Sequence, residues 1–198
     1  MLRTCRNCGK VREKREQQIR ITGESMIETK RLQIKPFCMD DIDIIYRLYS
    51  DEEILRYTPY DRMTKEDAVK HTEKVVEDWE AVPLADLEML VSLKQDGRKI
   101  GRCGIHVSDR GAMIGWFLIQ EVWNQGFATE ITEALIEYCR DILKVGRIYA
   151  LCNPENTASC RVLEKCGMQK VGDFKNKCKY TKNGIVTYED EREYVLLY

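Results

Sequence analysis

Three stretches in quick succession, 87–94, 99–107 and 112–119, constrain this chain more than any other feature. Each is rich in apolar and β-branched residues over the length of a strand. Asp96-Gly97 and Arg110-Gly111, which separate them, are dipeptides suited to tight hairpin turns. Strands joined in this way lie antiparallel in one sheet, and the sheet requires helices to cover it.

The flanking segments supply those helices. Arg31 to Lys35 alternates like a strand and stops at Pro36, and "MDDIDIIYRLYSDEEIL" from Met39 to Leu55 follows as one helix with an acidic first turn. Thr64, with Asp67 three residues later, opens a second helix whose stripe is Ala68, Val69, Thr72, Val75, Val76 and Trp79. After the three strands, Ala128, Ile131, Leu135, Tyr138 and Ile142 recur at helical spacing. A short strand (147–152), a short helix (about 156–165), a strand from Met168 and a final strand "EREYVLLY" complete the chain. The fold class is therefore mixed α/β (α+β), with a largely antiparallel sheet flanked by helices.

Composition narrows the function. With 198 residues and 43% hydrophobic content the chain suits one domain with a real core. Residues 1–25 carry seven Lys/Arg and three Glu, a net +4, so in a chain of formal charge −1 the remaining 173 residues carry −5. We expect residues 1–25 to be a basic, disordered or appended extension and residues 26–198 to be the domain. Cys5-x-x-Cys8-Gly9-Lys10 resembles one knuckle of a zinc ribbon, but four ligands are needed and no second such pair follows, so no metal is expected. The acidic body argues against nucleic acid, and no apolar run is long enough to span a bilayer, so the expected location is the cytoplasm. The nine cysteines are an odd number spread through strands and helices, and read as reduced, small apolar residues.

The stretch "VWNQGFATEITEALIEY" poses the functional question: its helix begins at Gly126, where a Ser, Thr or Asp cap would be the common choice. Free amide groups and the helix dipole make such a junction attractive to phosphate, and small residues let a bulky anion approach. Gly126 and Ala128 give that clearance, and Asn124, Gln125 and Thr129 can add side-chain hydrogen bonds. By itself the glycine favours no more than a permissive helix start, and neither Gly-x-Gly-x-x-Gly nor Gly-Lys-Ser/Thr is present.

The order of elements, the loop "WNQGFATEI" and the downstream "NPENTASCRVLEKCGMQKVG" together resemble the GNAT N-acetyltransferase superfamily, in particular the branch that includes ribosomal-protein N-terminal acetyltransferases. The resemblance covers nearly all of 26–198. It implies the GNAT fold with splayed central strands, acetyl-CoA as co-substrate, and an amine acceptor, either a protein N-terminus or a small molecule. A second copy of the chain is allowed for as a partner. It also implies that Asn124, Gln125, Gly126, Phe127, Ala128 and Thr129 meet the diphosphate, that Phe117 and Leu118 lie on the cofactor, and that Asn156 and Ser159 face pantetheine and thiol, with Ser159 as proton donor to the departing thiolate.

The chain departs from many relatives at two places: Leu163 and Leu151 stand where a tyrosine acid and a glutamate base are common. The base candidates left are Asp173, His106 and Glu88. The competing expectation is a non-catalytic acyl-CoA-binding protein that keeps the fold. Acceptor choice is assigned to "DEEILRYTPYDRM" and "NKCKYTKNGIV", with Tyr57, Tyr60 and Trp79 as pocket or core residues.

Overall fold

The computed structural model describes residues 27–80, 86–182 and 184–198. The N-terminal extension, with Cys5 and Cys8, lies outside the described residues.

Among the described residues eight strands form one sheet. They are β1 (Ile27–Glu28), β2 (Leu32–Pro36), β3 (Asp86–Leu93), β4 (Lys99–Ser108), β5 (Gly111–Leu118), β6 (Arg147–Cys152), β7 (Gln169–Lys182) and β8 (Ile185–Leu197), in the order β1-β2-β3-β4-β5-β6-β8-β7. Every neighbouring pair is antiparallel except β5 and β6. Four α-helices are described: α1 (Ile42–Ser50), α2 (Lys65–Glu80), α3 (Phe127–Asp141) and α4 (Thr157–Lys165). Helices α1 and α2 pack on each other and on β3 and β4, while α3 and α4 cover β5, β6 and β7.

The expected mixed, largely antiparallel sheet is found, with three local differences. The helix expected over 39–55 is a 3-10 turn (Met39–Asp41) followed by α1, which stops at Ser50. Asp51 ends it: its Oδ1 accepts from the amides of Glu53 (2.9 Å) and Ile54 (3.3 Å), an Asx turn that competes with helix continuation. The final strand starts at Ile185, ahead of the expected Glu191, and β7 shifts register at Lys170/Gly172 and Phe174/Cys178, so the two-residue period is broken there. In α3 the buried seam runs through Phe127, Ile131, Leu135 and Cys139, and Ile142, past the helix end, is 40% exposed. Helix α2 begins as its sequence predicts. Thr64 Oγ1 accepts from the Asp67 amide (3.2 Å) and Asp67 Oδ2 accepts from the Thr64 amide (3.0 Å), a reciprocal cap that stabilises by about 1 kcal/mol.

The sheet opens where the site lies. Strand β5 pairs with β6 at Ala112 with Ile148 and at Met113 with Tyr149, and no further. Beyond that point Ile114–Leu118 and Ala150–Cys152 diverge, although β5 stays zipped to β4 along its whole length, from Ser108 with Gly111 to Gly101 with Leu118. The end of β5 needs a glycine opposite it. A Cβ on Gly101 would fall 2.1 Å from the Phe117 carbonyl oxygen, a backbone atom that cannot swing aside. The register of β3 against β4 also shifts next to this position, between Val91 and Ser92. Gly101→Ala is expected to destabilise the fold by about 3 kcal/mol; a urea midpoint equal to that of the wild type would contradict the close approach.

Candidate active site

A cavity of about 1110 Å³ runs through the gap between β5 and β6 and on beneath the segment that joins α1 to α2. Helices α3 and α4 both begin at it. The start of α3 is unusual. Gly126, its N-cap, has φ 79° and ψ 6°, a left-handed conformation that L side chains disfavour by roughly 1–2 kcal/mol, and Asn124 is also left-handed at φ 59°. No side chain caps the helix, and its first hydrogen bond runs from the Glu130 amide to the Gly126 carbonyl (3.1 Å). The amides of Phe127, Ala128 and Thr129 precede that bond, and all three residues line the cavity. An uncapped helix start of this kind attracts an anion through its amides and dipole.

The loop before α3 is held from several sides. Trp123 Nε1 donates to the Leu118 carbonyl (2.8 Å), Gln125 Nε2 donates to the Glu121 carbonyl (2.8 Å), and Gln120 Nε2 donates to the Asp51 carboxylate (2.9 Å). Arg31 completes the hold: its guanidinium donates to the Gln125 carbonyl (2.9 Å) and to Glu130 Oε2 (2.6 Å), and lies 4.1 Å from the centroid of the Phe127 ring. Burial disfavours a charged Glu130, but hydrogen bonds from Thr29 and from the Arg31 amide and side chain outweigh it and hold the carboxyl below the usual range.

Helix α4 is capped in the ordinary way. Asn156 Oδ1 accepts from the Ser159 amide (3.1 Å), so the asparagine is an N-cap and also lines the cavity. Ser159 lines it one turn on, with Arg161 and Lys165 of the same helix. Of the residues expected at the site, Phe117, Leu118, Asn124, Gly126, Phe127, Ala128, Thr129, Asn156 and Ser159 share this one cavity. Gln125 is not among its lining residues, because its side chain turns back to Glu121. Leu151 lines the gap, and Leu163, 1% exposed, belongs to the core as well.

The three base candidates meet different fates. Asp173 is outside the cavity, where hydrogen bonds from Arg192 and then Lys170 hold its carboxyl far below the usual range. His106 lines the cavity, with Nδ1 2.5 Å from Asp86 Oδ1. Glu88 lines it too, ion-paired to Arg102 and 3.1 Å from His71 Nε2. Burial opposes its ionisation, yet the Arg102 charge and the His71 hydrogen bond bring its carboxyl down to about 2. A carboxylate that acidic is a poor proton acceptor near neutral pH.

Tyr57 and Tyr60 reach the cavity, whereas Trp79 is core, its Nε1 donating to the Glu88 carbonyl (2.8 Å). Arg31, Arg102 and His71 are site features that residue patterns did not single out. Among the described residues no helix is long and apolar enough to cross a membrane, and Cys103, Cys139 and Cys160 are buried.

Residues 31–169 match the acetyltransferase (GNAT) domain family. The uncharacterized N-acetyltransferase YnaD of Bacillus subtilis is 34% identical over 155 residues, 77% of this chain and 86% of that protein. A putative ribosomal-protein-serine acetyltransferase from Vibrio cholerae superposes with a TM-score of 0.73 at 20% identity, over 90% of this chain and 100% of that one. A spermidine N-acetyltransferase from Vibrio cholerae, solved in complex with CoA and spermine, gives 0.70 at 21% identity, over 85% and 96%. These two solved structures share the fold.

Proposed function

This chain belongs to the acetyltransferase (GNAT) domain family, and on that premise we propose that it transfers the acetyl group of acetyl-CoA to a primary amine by direct attack on the thioester. One observation carries the reading: the splayed edges of β5 and β6 and the uncapped start of α3 open onto the same cavity. The fit is chemical. The cavity offers unsatisfied amides and the Arg161 and Lys165 side chains for phosphates, and between the strands it offers the free edge of Ile114–Leu118 for an amide-bearing chain.

Within this reading Gly126, Phe127, Ala128 and Thr129 present backbone amides to the diphosphate, and Asn124 shapes their approach. Gln125 supports the loop through its Glu121 bond and its carbonyl, which Arg31 holds. Phe117 and Leu118 flank the acetyl end. Asn156 fixes the first turn of α4 and thereby the position of Ser159, whose hydroxyl gives a proton to the departing thiolate. The acceptor must be neutral to attack, and an α-amine, with a pKa of about 8, deprotonates far more readily than a lysine-type amine of about 10. With Glu88 already committed to Arg102 and His71, water in the cavity carries that proton to solvent.

The test is release of free CoA thiol from acetyl-CoA over N-terminal peptides, polyamines and aminoglycosides, with each product checked by mass. We expect turnover with at least one class. Tight acetyl-CoA binding with no turnover on any of them would support a non-catalytic acyl-CoA-binding protein, and absence of binding would refute both readings.

A further inference from the structure

His71 stands on α2 at the rim of its buried stripe, three residues after Ala68 and four before Val75, and lines the cavity with 24% of its side chain exposed. Its Nε2 lies 3.1 Å from Glu88 Oε1 on β3, and its ring centroid lies 5.3 Å from that of Tyr49 on α1. The Glu88 contact fixes the tautomer. Glu88 is ion-paired to Arg102 and, as a carboxylate, has only acceptor oxygens, so the shared hydrogen belongs to Nε2 and the neutral ring carries its lone pair on Nδ1. Nδ1 has no hydrogen-bond partner among the described residues and is not closed off from solvent.

A bare floor separates this ring from the open edge of β5. Glu88 is directly opposite Gly104, Gly104 is directly opposite Gly115, and both glycines line the cavity. These positions belong to the sheet face that α1 covers, since Arg102 and Phe117, two residues away on β4 and β5, meet the Tyr49 ring there. A Cβ on Gly115 would meet nothing within 4 Å, and Gly115 is two residues beyond Met113, where the pairing of β5 with β6 stops. Adjacent strands are about 4.8 Å apart, so β5 lies about 10 Å from β3, a gap that the Glu88 side chain, the His71 ring and a small amine fill together. The other histidine, His106, is opposite Met113, ahead of the splay, with Nδ1 2.5 Å from Asp86.

Resting on the acetyltransferase reading and deepening it, we propose that His71 is the general base of the transfer: its Nδ1 takes a proton from the acceptor ammonium over Gly104 and Gly115, and Glu88 is the positioning residue that keeps Nδ1 bare. The ammonium loses two protons in all. The first goes to Nδ1 and on to the cavity water, leaving a neutral amine whose lone pair forms the C–N bond. The second leaves the nitrogen as the C–S bond breaks and the sulfur takes the bonding pair; it makes good the proton that Ser159 gives to that sulfur. An imidazole accepts and releases protons near neutral pH, which a carboxylate already down at about 2 does not.

The test separates a base from a mere tie between α2 and β3. The chain has two histidines, so nitrogen NMR of the imidazoles in the wild type and in His106→Gln reads His71 by itself. At a pH where the ring is neutral we expect Nε2 to carry the hydrogen and Nδ1 none; hydrogen on Nδ1 would overturn the inference before any assay. His71→Gln keeps a donor for Glu88 and has no basic nitrogen. With the best acceptor among N-terminal peptides, polyamines and aminoglycosides at saturating acetyl-CoA, its kcat should fall by about a hundredfold, with the melting temperature and the acetyl-CoA dissociation constant unchanged. In His71→Ala, added imidazole should restore part of the rate while leaving the wild type unaffected. A wild-type kcat in His71→Gln would overturn the inference. So would a loss that comes with lower stability and that imidazole leaves unrescued in His71→Ala, which would make the pair a structural tie. Failure of the acetyltransferase reading is seen separately, as a wild type that binds no acetyl-CoA or turns over no amine, and it would take this inference with it.

Discussion

Gly126→Val is expected to weaken acetyl-CoA binding by about a hundredfold or more while the chain still folds. Two effects act at this position and they separate. Left-handed backbone costs a side chain roughly 1–2 kcal/mol, more if it is β-branched, which a domain stable by about 5–15 kcal/mol survives. Inside the protein the added carbon meets little, since a Cβ at Gly126 would lie 3.5 Å from the Arg31 guanidinium, an ordinary contact with a flexible side chain. Outside it, the valine methyl groups stand between the diphosphate and the amides that α3 leaves open. Losing one or two charge-assisted hydrogen bonds accounts for about 3 kcal/mol, hence the hundredfold. Gly126→Asn separates the effects, because asparagine tolerates this backbone: near-wild-type stability with weakened binding, read by thermal melts and titration, assigns the defect to access. Undiminished binding in Gly126→Val would remove the diphosphate from this loop.

The second large effect concerns chemistry. Ser159→Ala should lower kcat by about a hundredfold, the lower end of what a positioned proton donor contributes, with the acetyl-CoA dissociation constant unchanged. The helix survives the change, since Asn156 caps α4 through the Ser159 backbone amide, which alanine retains. Ser159→Thr, which restores a hydroxyl, should recover part of the rate. An unchanged kcat in Ser159→Ala would take the proton donor away from α4, and a parallel loss of acetyl-CoA affinity would make Ser159 a binding group instead.

Much of this site was legible in the residues because its informative parts are local. The junction at Gly126 declares itself within a few residues, and so does the cap at Asn156; the structure adds that Gly126 is left-handed and that Asn156 serves as cap and cavity wall together. The limits of α1 were missed because Asp51 acts on the amides two and three residues ahead, a side-chain turn that apolar periodicity does not report. Arg102 was hidden for a different reason. In "KIGRCGIHV" the alternation of Gly101, Cys103, Ile105 and Val107 reads as the inward face, which leaves Arg102 on what looks like the solvent side. Helices α1 and α2 cover that side too, and Tyr49, Glu88 and Phe117 come to Arg102 from three separate elements, with His71 bonded to Glu88 from a fourth, a meeting that no local pattern encodes. Arg31 belongs to the same class: its partners Gln125 and Glu130 lie about a hundred residues away along the chain.

The central claim is that the cavity between β5 and β6 holds acetyl-CoA and passes its acetyl group to an amine. It is tested most directly by incubating the protein with acetyl-CoA and an Ala-Ser-Gly peptide amide and weighing the peptide by mass spectrometry. A peptide heavier by one acetyl group, formed by the wild type and at least about tenfold more slowly by Gly126→Val and by Ser159→Ala, is the expected result. A wild type that leaves both acetyl-CoA and the peptide unaltered, or variants that acetylate as fast as the wild type, would contradict it.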